Sequence, residues 1–441
     1  MNPAYDLLLR GATLVTGDAV VRDGWLAVQG DRIAALGGAA EPAPPAARTL
    51  ELAGHVVTPG FINVHTHSAL TMVRGVAADL GFAPSYTKGI PNALDLAPEE
   101  AAVLARLGAV EAMCFGSTLI GEHFVHLDAC LPELVKLGLR VHASLRLHDV
   151  DFRAVAAGNW RFDAAIGEDL LDRNVAAYAT WHGKENGRVA VQFAAHAADT
   201  CSEPYLARIA AEAHRRGAIV NTHLGQSKVE LERVAARTGK TPAQVFADAG
   251  LLDARLLCGH CIYVDEAEIA RLARAGAHVV HIPKCNAASG RLAPTPALVR
   301  AGLNITLATD TQHGDMVELM RWALATARIQ TGAVDAEWQP EHVFAMATIN
   351  GARALGLEAD LGTLAPGKKA DLVVFDFRRP HLVPAVDPVG NLVHVAQGRD
   401  IVKVFVDGRC VVDDGRPTLV DLDEVLDDAQ RVLDRLWRRA A

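Results

Sequence analysis

The alternation of apolar and polar positions gives the long middle section, residues 59–360, a repeating unit of strand followed by helix. Short apolar runs predict eight strands, at residues 61–65, 117–121, 139–145, 188–194, 218–223, 255–260, 278–282 and 304–309. Several helices before these strands end at a glycine, as at Gly138 and Gly276, because glycine adopts the left-handed cap conformation without a steric clash. Eight alternating units predict an α/β fold, a (β/α)8 TIM barrel, rather than an open sheet.

Both ends of the chain carry a different pattern, with short alternating strands between Gly and Asp turns. The pattern predicts an antiparallel meander of short strands over residues 5–36 and a hairpin around Asp407-Gly408 over residues 402–412. We therefore predict one small β-sandwich domain built from both termini, residues 1–58 and 361–420, around the barrel at 59–360. The remaining residues, 421–441, have helical spacing and predict a C-terminal surface helix.

Composition and charge exclude several classes of protein but do not indicate which reaction is catalysed. The 441 residues carry 43 Lys and Arg against 52 Asp and Glu, a net charge of −9, and no basic run that would favour nucleic-acid binding. No apolar run is long enough for a membrane span, and the N-terminus lacks the pattern of a secretory signal. Seven cysteines are an odd number and no disulfide framework, so we expect a cytoplasmic protein without membrane or nucleic-acid partners.

Histidines and acids concentrate where the predicted barrel strands end, which is where barrel enzymes carry their active sites. His65 and His67 are two apart on one strand, so both side chains point into the barrel. With His223 from strand five and Asp310 from strand eight they predict a mixed nitrogen and oxygen site for a divalent metal. Zinc suits those ligands, and iron, cobalt or manganese are compatible with them.

Cys258-Gly259-His260-Cys261 matches the Cys-x-x-Cys pattern of thiol–disulfide exchange motifs. Such a motif works at a helix N-terminus, where the helix dipole lowers the pKa of the first thiol. Here it lies in strand sequence, which argues against a redox role.

The sequence resembles the amidohydrolase superfamily, in the branch of cytosine deaminase-like, S-adenosylhomocysteine/methylthioadenosine deaminase-like and triazine hydrolase-like (atrazine chlorohydrolase-like) enzymes. The resemblance covers nearly the whole chain, and the stretches that carry it are Pro59-Gly60-Phe61-Ile62-Asn63-Val64-His65-Thr66-His67, His196-Ala197-Ala198-Asp199-Thr200-Cys201-Ser202, Thr222-His223-Leu224, Gly259-His260-Cys261, Ala308-Thr309-Asp310 and the tail at residues 361–373. It implies one divalent ion, with zinc preferred and Fe2+ as the alternative, held by His65, His67, His223 and Asp310. A binuclear centre usually has a lysine on strand four, and residues 188–195 contain none.

The same resemblance implies roles for residues around that ion. His260 is expected to hydrogen-bond the attacking water and His196 to contact the substrate. A bound cation lowers the pKa of water, which yields a hydroxide that attacks an sp² carbon, while Asp310 takes up the proton. The predicted reaction is hydrolysis of a small nitrogen-rich, heterocyclic substrate with release of ammonia or an amine.

One position departs from the deaminase pattern, because Gln226 stands where those enzymes carry a glutamate that protonates a ring nitrogen. Glutamine cannot transfer a proton, although it can hydrogen-bond the substrate. Either Glu122, His196 or Asp310 supplies the acid, or the substrate needs no ring protonation. Gln226 and Glu122 are accordingly predicted substrate contacts, with Gln226 also part of the catalytic set. The second option favours an amide, a urea-like compound or a dehalogenation.

Two further expectations concern the loop after strand one and the oligomeric state. The loop after strand one lacks the tryptophan of nucleoside deaminases, and its Tyr86 and Lys88 are candidate substrate contacts beside a plain solvent loop. A homo-oligomer, a dimer or larger, is expected from the resemblance alone. The alternative from another class is a non-catalytic scaffold homologue, which would typically lack metal ligands that this chain retains.

Overall fold

A computed structural model describes residues 5–80, 89–155, 157–253, 255–311 and 313–440. Within these described residues, the chain forms two separate sheets of nine strands each. The N-terminal part contributes five strands to the first sheet, β1 (Tyr5–Val15), β2 (Val20–Gln29), β3 (Arg32–Gly37), β4 (Ala46–Glu51) and β5 (His55–Pro59). Nine strands then form the second sheet, β6 (Phe61–Thr66), β7 (Ser117–Phe124), β8 (Arg140–Leu147), β9 (Val189–Val191), β10 (Phe193–Ala197), β11 (Ile219–Leu224), β12 (Arg255–His260), β13 (His278–His281) and β14 (Asn304–Leu307). The C-terminal part returns to the first sheet with β15 (Leu372–Asp376), β16 (Ile401–Val406), β17 (Arg409–Asp413) and β18 (Arg416–Pro417).

The helices lie mainly between the strands of the second sheet. In chain order they are α1 (Pro98–Cys114), α2 (Leu127–Lys136), α3 (Phe152–Val155), α4 (Ala164–Trp181), α5 (Glu203–Arg216), α6 (Lys228–Thr238), α7 (Pro242–Asp248), α8 (Glu266–Ala275), α9 (Pro283–Ala288), α10 (Thr295–Arg300), α11 (Met316–Thr331), α12 (Pro340–Ala347), α13 (Ile349–Leu355), α14 (Pro388–His394) and α15 (Leu422–Ala440). Short 3-10 helices occupy Ser68–Val73, Ala78–Leu80, Ala93–Asp95, Leu251–Asp253, Pro380–Leu382 and Gly398–Asp400. Within the described residues, no helix is long and apolar enough to cross a membrane.

The second sheet is a parallel barrel, as the repeating pattern predicts. Its strands pair in the order β6, β7, β8, β10, β11, β12, β13 and β14, and β9 pairs with β8, so the predicted fourth strand is interrupted at Gln192. The backbone of Asp310 joins the last strand to the first, donating to the His65 carbonyl at 3.1 Å and accepting from the His67 N–H at 2.8 Å. The TIM-barrel prediction is confirmed.

The first sheet combines both ends of the chain, as the sequence predicts. β5 pairs with β1 in parallel and with β15 antiparallel, which joins the N-terminal strands to the C-terminal ones. Side chains from both parts, among them Leu9, Leu26, Leu372 and Phe405, share one apolar core. The Gly- and Pro-rich stretch at residues 36–48 is typical of a loop, but its last three residues belong to β4, which pairs with β1 in parallel.

Glycines end several barrel helices as the pattern predicts. Gly217 and Gly276 are the left-handed caps of α5 and α8, with φ of 61° and 70°. A glycine has a different purpose on β7, where a Cβ at Gly121 would lie 2.1 Å from the Val64 carbonyl oxygen. Only glycine lets β6 and β7 approach this closely just before His65, so the position of that histidine depends on it.

Candidate active site

Four side chains from three barrel strands converge at the carboxyl end of the barrel. His65 and His67 lie at the end of β6, His223 lies on β11, and Asp310 follows β14. One donor atom from each lies within 4.8 Å of the others. The three Nε2 atoms face one another, at 3.1 Å between His65 and His67 and 3.4 Å between His67 and His223. The Asp310 Oδ1 atom is 3.4 Å from the His67 Nε2 atom.

The opposite nitrogen of each imidazole is committed to a buried oxygen. The Nδ1 atoms lie 2.8 Å from Asn221 Oδ1 for His65, 2.6 Å from the His123 carbonyl for His67, and 2.7 Å from the His196 carbonyl for His223. Because these oxygens only accept, each Nδ1 carries the hydrogen and each Nε2 presents a lone pair. Three lone pairs and a carboxylate that face one another repel unless a cation lies between them.

Burial sets the protonation states of these groups. It lowers the pKa of His65 to about 4 and those of His67 and His223 well below their ordinary value, so the imidazoles are neutral, as ligation requires. Burial also raises the pKa of Asp310 to about 7. Neutral imidazole nitrogens with one carboxylate oxygen are donors that suit zinc, so these residues fit a divalent ion.

Asp310 has an unusual backbone conformation that serves this arrangement. Its φ is 61°, in the left-handed region that side chains other than glycine adopt infrequently. The two backbone hydrogen bonds to His65 and His67 hold it there. The hydrogen bonds that close the barrel therefore also position the candidate metal ligands. Strain of this kind is maintained where the surrounding structure over-determines it, often at functional sites.

A cavity of about 290 Å3 opens above the four side chains. His196, Gln226 and His260 line it, as the sequence predicts for residues that contact the substrate or the attacking water. Two of its basic side chains are paired, Arg74 with Glu111 and Lys284 with Glu318. The wall also includes Arg146, whose guanidinium lies 4.4 Å from the centre of the Phe152 ring.

Two side chains hold the backbone of Gln226 in place. The Glu230 carboxylate accepts from the N–H groups of Gly225 at 3.1 Å and Gln226 at 2.8 Å. On the other side Arg291 donates to the Gln226 carbonyl at 3.3 Å. A substitution at Gln226 therefore changes the chemistry of the side chain without freeing the segment.

The expectation that Glu122 contacts the substrate needs correction, because Glu122 does not line the cavity. It is completely buried, and its carboxylate accepts from the Ser68 N–H at 3.1 Å and the Thr66 hydroxyl at 2.9 Å. Burial raises its pKa to about 7, against the opposing effect of those hydrogen bonds. Glu122 anchors the chain on both sides of His67. Tyr86 and Lys88 lie outside the described residues.

The Cys-x-x-Cys segment lies at the buried end of β12, as the strand pattern predicts. Cys258 belongs to β12, and Cys261 follows it. The pKa of Cys261 is raised well above its ordinary value, by its contact with Cys258 and by burial. A thiol with a raised pKa is a poor nucleophile, which argues against a redox role.

Three polar residues with evident roles received none from the sequence. Asn221 fixes His65, Asn286 contacts His260, and Arg146 lines the cavity. Asn221 had a usable signal, since it lies two residues before His223 on one strand and so shares its face. Asn286 lies on α9, outside the strand register that links Asn221 to His223.

Buried donors for one cation, beneath a cavity at the carboxyl end of a parallel barrel, define a metal-dependent barrel enzyme. The model of the amidohydrolase family matches residues 56–411, and the chain belongs to that family. The chain is therefore a metal-dependent hydrolase that acts on carbon–nitrogen bonds other than peptide bonds.

One relative and two solved structures show what this chain is similar to, the structures in fold alone. A 5-methylthioadenosine/S-adenosylhomocysteine deaminase of Moorella thermoacetica is 34% identical over 433 residues, which cover 95% of this chain and 97% of that relative. An adenosine deaminase of Xanthomonas campestris with bound zinc superposes with a TM-score of 0.86 at 24% identity, covering 99% of each chain. The zinc complex of atrazine chlorohydrolase from Arthrobacter aurescens superposes with a TM-score of 0.85 at 21% identity, covering 97% of this chain and 100% of that one.

Proposed function

We propose that this protein is an aminohydrolase that removes an amino group, as ammonia or an amine, from a small nitrogen-rich heterocycle. The observation that carries the proposal is the set of three Nε2 lone pairs and one carboxylate at the base of the cavity. The proposed ion is Zn2+, with Fe2+ as the alternative, held by His65, His67, His223 and Asp310. When bound, such an ion lowers the pKa of water and supplies a nucleophile near neutral pH.

The residues around this site have separable tasks. Asp310 accepts a proton from the attacking water and returns it to the leaving group, since its carboxylate lies beside the proposed position of the ion. His260 accepts a hydrogen bond from the same water. His196, whose Nδ1 atom lies 2.8 Å from the Thr200 hydroxyl, presents its other edge to the substrate.

The cavity favours a compact substrate. Its volume of about 290 Å3 is near the lower limit, ~300 Å3, of ordinary ligand pockets. The relative from Moorella thermoacetica is a deaminase of 5-methylthioadenosine and S-adenosylhomocysteine. An amino-substituted purine is therefore the first substrate class to test.

Gln226 favours a second candidate within the same family. Its amide can hydrogen-bond a ring nitrogen but cannot protonate it, so a substrate that needs no ring protonation also fits the site. An amide, a urea or a halogenated heteroaryl ring meets that condition. In these cases the leaving group would be an amine or a halide rather than ammonia.

The deciding experiment measures product release from a substrate panel. Zinc-loaded protein is incubated with aminopurines and their nucleosides, pterins, amino- and chloro-triazines, and substituted ureas, and ammonia, amine and halide are quantified. We expect ammonia from at least one amino-heterocycle. Halide or amine release alone would select the second candidate, and no release of any of the three would overturn the proposal.

The variant Gln226→Glu sharpens that experiment, because the clamped backbone places the new carboxylate where the amide was. We expect a changed substrate preference or a changed pH dependence of kcat. Unchanged preference and pH dependence would remove Gln226 from the mechanism. Ser227→Ala, next to it in the chain, is the matched control for local disturbance.

We also propose that the protein is cytoplasmic and forms a homo-oligomer. Its seven cysteines are all free, which fits a reducing compartment. Light scattering coupled to size-exclusion chromatography tests the oligomer, and a monomeric mass would refute it.

A further inference from the structure

Two asparagines contact histidines of the site in the same way, although only one of those histidines is a proposed metal ligand. Asn221 Oδ1 lies 2.8 Å from the Nδ1 atom of His65, and Asn286 Oδ1 lies 2.9 Å from the Nδ1 atom of His260. His260 is outside the group of four donors, but it lines the cavity. The contact between Asn286 and His260 therefore has a role other than metal binding.

The backbone on both sides of Asn286 is fixed. Its N–H donates to the Ile282 carbonyl at 3.2 Å, and its carbonyl accepts from the Arg291 N–H at 2.9 Å. The side chain is buried, and within the described residues its Nδ2 atom has no hydrogen-bond partner. The contact with His260 is thus the one hydrogen bond found for the amide of Asn286 in that part of the chain.

His260 is equally constrained. It ends β12 with a φ of 69°, and its ring stacks on the His223 ring at 5.4 Å between centres and an angle of 26°. An amide oxygen only accepts, so the Nδ1 atom of His260 must carry the hydrogen. A neutral imidazole has one N–H, and the Nε2 atom therefore keeps its lone pair.

We propose that Asn286 is a positioning residue that fixes His260 in the Nδ1–H tautomer, so that Nε2 accepts the hydrogen of the attacking water. The inference rests on the proposed hydrolytic function. The Nε2 lone pair accepts a hydrogen bond that orients the attacking water, the proton of that water passes to Asp310, and the Nδ1–H bond to Asn286 stays intact. The opposite tautomer would present an N–H to the water and could not accept this hydrogen bond.

The kinetic test compares substitutions at the two asparagines. Asn286→Leu has a similar volume but no acceptor, and we expect kcat to fall about 10- to 100-fold with KM and bound zinc little changed. Asn286→Asp keeps an accepting oxygen and should restore most of kcat. In Asn221→Leu the main loss should be bound zinc. Equal kcat in Asn286→Leu and wild type, or loss of zinc from Asn286→Leu, would overturn the inference.

A double-mutant cycle separates positioning from a general structural effect. In a His260→Gln background, Asn286→Leu should cause no further fall in kcat, because the group on which Asn286 acts is gone. Additive losses would show that Asn286 acts on something else.

A spectroscopic readout tests the tautomer without any substrate. In zinc-loaded protein with 15N-labelled histidine, the His260 signals, identified by their absence in His260→Gln, should show the hydrogen on Nδ1. A hydrogen on Nε2 in the wild type would overturn the inference even if the enzyme is active. Failure of the substrate panel would instead overturn the proposed function and leave this result standing.

Discussion

Buried charge is arranged in opposite ways at the active-site end of the barrel and at the junction between barrel and terminal sheet. At the junction, Arg140 of β8 donates to both oxygens of Asp371, at 2.8 and 2.9 Å, and also pairs with Asp407. At the site, His65, His67, His223 and Asp310 bring together lone pairs and a carboxylate with no cationic side chain among them.

This difference separates a structural group from a functional one. The junction is complete in itself, since its opposite charges hydrogen-bond one another and join two sheets. The site is incomplete, since its members repel one another unless a cation is added. Burial alone is common to both regions, so burial did not identify the site; the mismatch of charges did.

The largest expected effect follows from removing one member of the incomplete group. Asp310→Asn loses both a ligand charge and the proton acceptor, so we expect bound metal to fall and kcat/KM to drop by at least about 10³-fold. Metal analysis and the product assay measure both. Asp360→Asn, in an exposed ion pair with Arg32, is the matched control and should keep both values. Wild-type activity in Asp310→Asn would contradict the comparison.

Removing one member of the complete group should affect stability instead of catalysis. Arg140→Met leaves two buried carboxylates without their main partner, and we expect the free energy of unfolding to fall by about 3–5 kcal/mol. Urea unfolding of zinc-loaded protein measures it. Arg10→Met, which breaks an exposed ion pair with Glu51, should cause no measurable change. An unchanged unfolding midpoint for Arg140→Met would show that the junction does not hold the sheets together.

Glu122 tests this comparison further. It is a buried acid near the site, but its carboxylate already has hydrogen-bond partners, like the charges at the junction. Glu122→Gln weakens the hydrogen bonds to Ser68 and Thr66, so we expect the free energy of unfolding to fall by about 1–3 kcal/mol. KM should stay unchanged, because the side chain does not reach the cavity. A clear rise in KM would return Glu122 to the substrate site.

The effect that is smallest near neutral pH concerns the pH dependence of stability. Burial, and then the charge of Arg140, lower the pKa of His142 from 6.5 to about 3. Between these values the unfolded chain binds a proton that the folded protein does not, so stability is lost as the pH falls through this window. His142→Gln should reduce the slope of unfolding free energy against pH by about 1.4 kcal/mol per pH unit.

Urea unfolding at several pH values measures this slope. The exposed His342→Gln variant is its control and should keep the wild-type slope. A His142→Gln slope equal to that of the wild type would show that His142 is not held neutral by its surroundings.

Much of the architecture could be predicted because it depends on local pattern. Apolar runs between glycine-capped helices marked all eight barrel strand positions, and the Asp407-Gly408 turn marked the hairpin of β16 and β17. Strand ends in turn marked His65, His67, His223 and Asp310, since parallel strands bring their carboxyl ends to one rim of the barrel.

The remainder depends on contacts between distant elements, which one sequence does not encode visibly. Glu122 looked like a substrate contact because it ends a barrel strand, yet its carboxylate faces Ser68 and Thr66 instead of the cavity. The partnership of Asn286 with His260 depends on how α9 packs after β13, which no spacing reveals. The sequence therefore shows which residues end a strand, but only the structure shows which way each of their side chains points.

Anomalous diffraction at the zinc edge, on crystals of protein purified without chelators, tests the central claim most directly. We expect one peak, at ~2.0–2.2 Å from Nε2 of His65, His67 and His223 and from a carboxylate oxygen of Asp310. A peak held by other residues, or no peak between these four side chains after zinc is supplied, would contradict it.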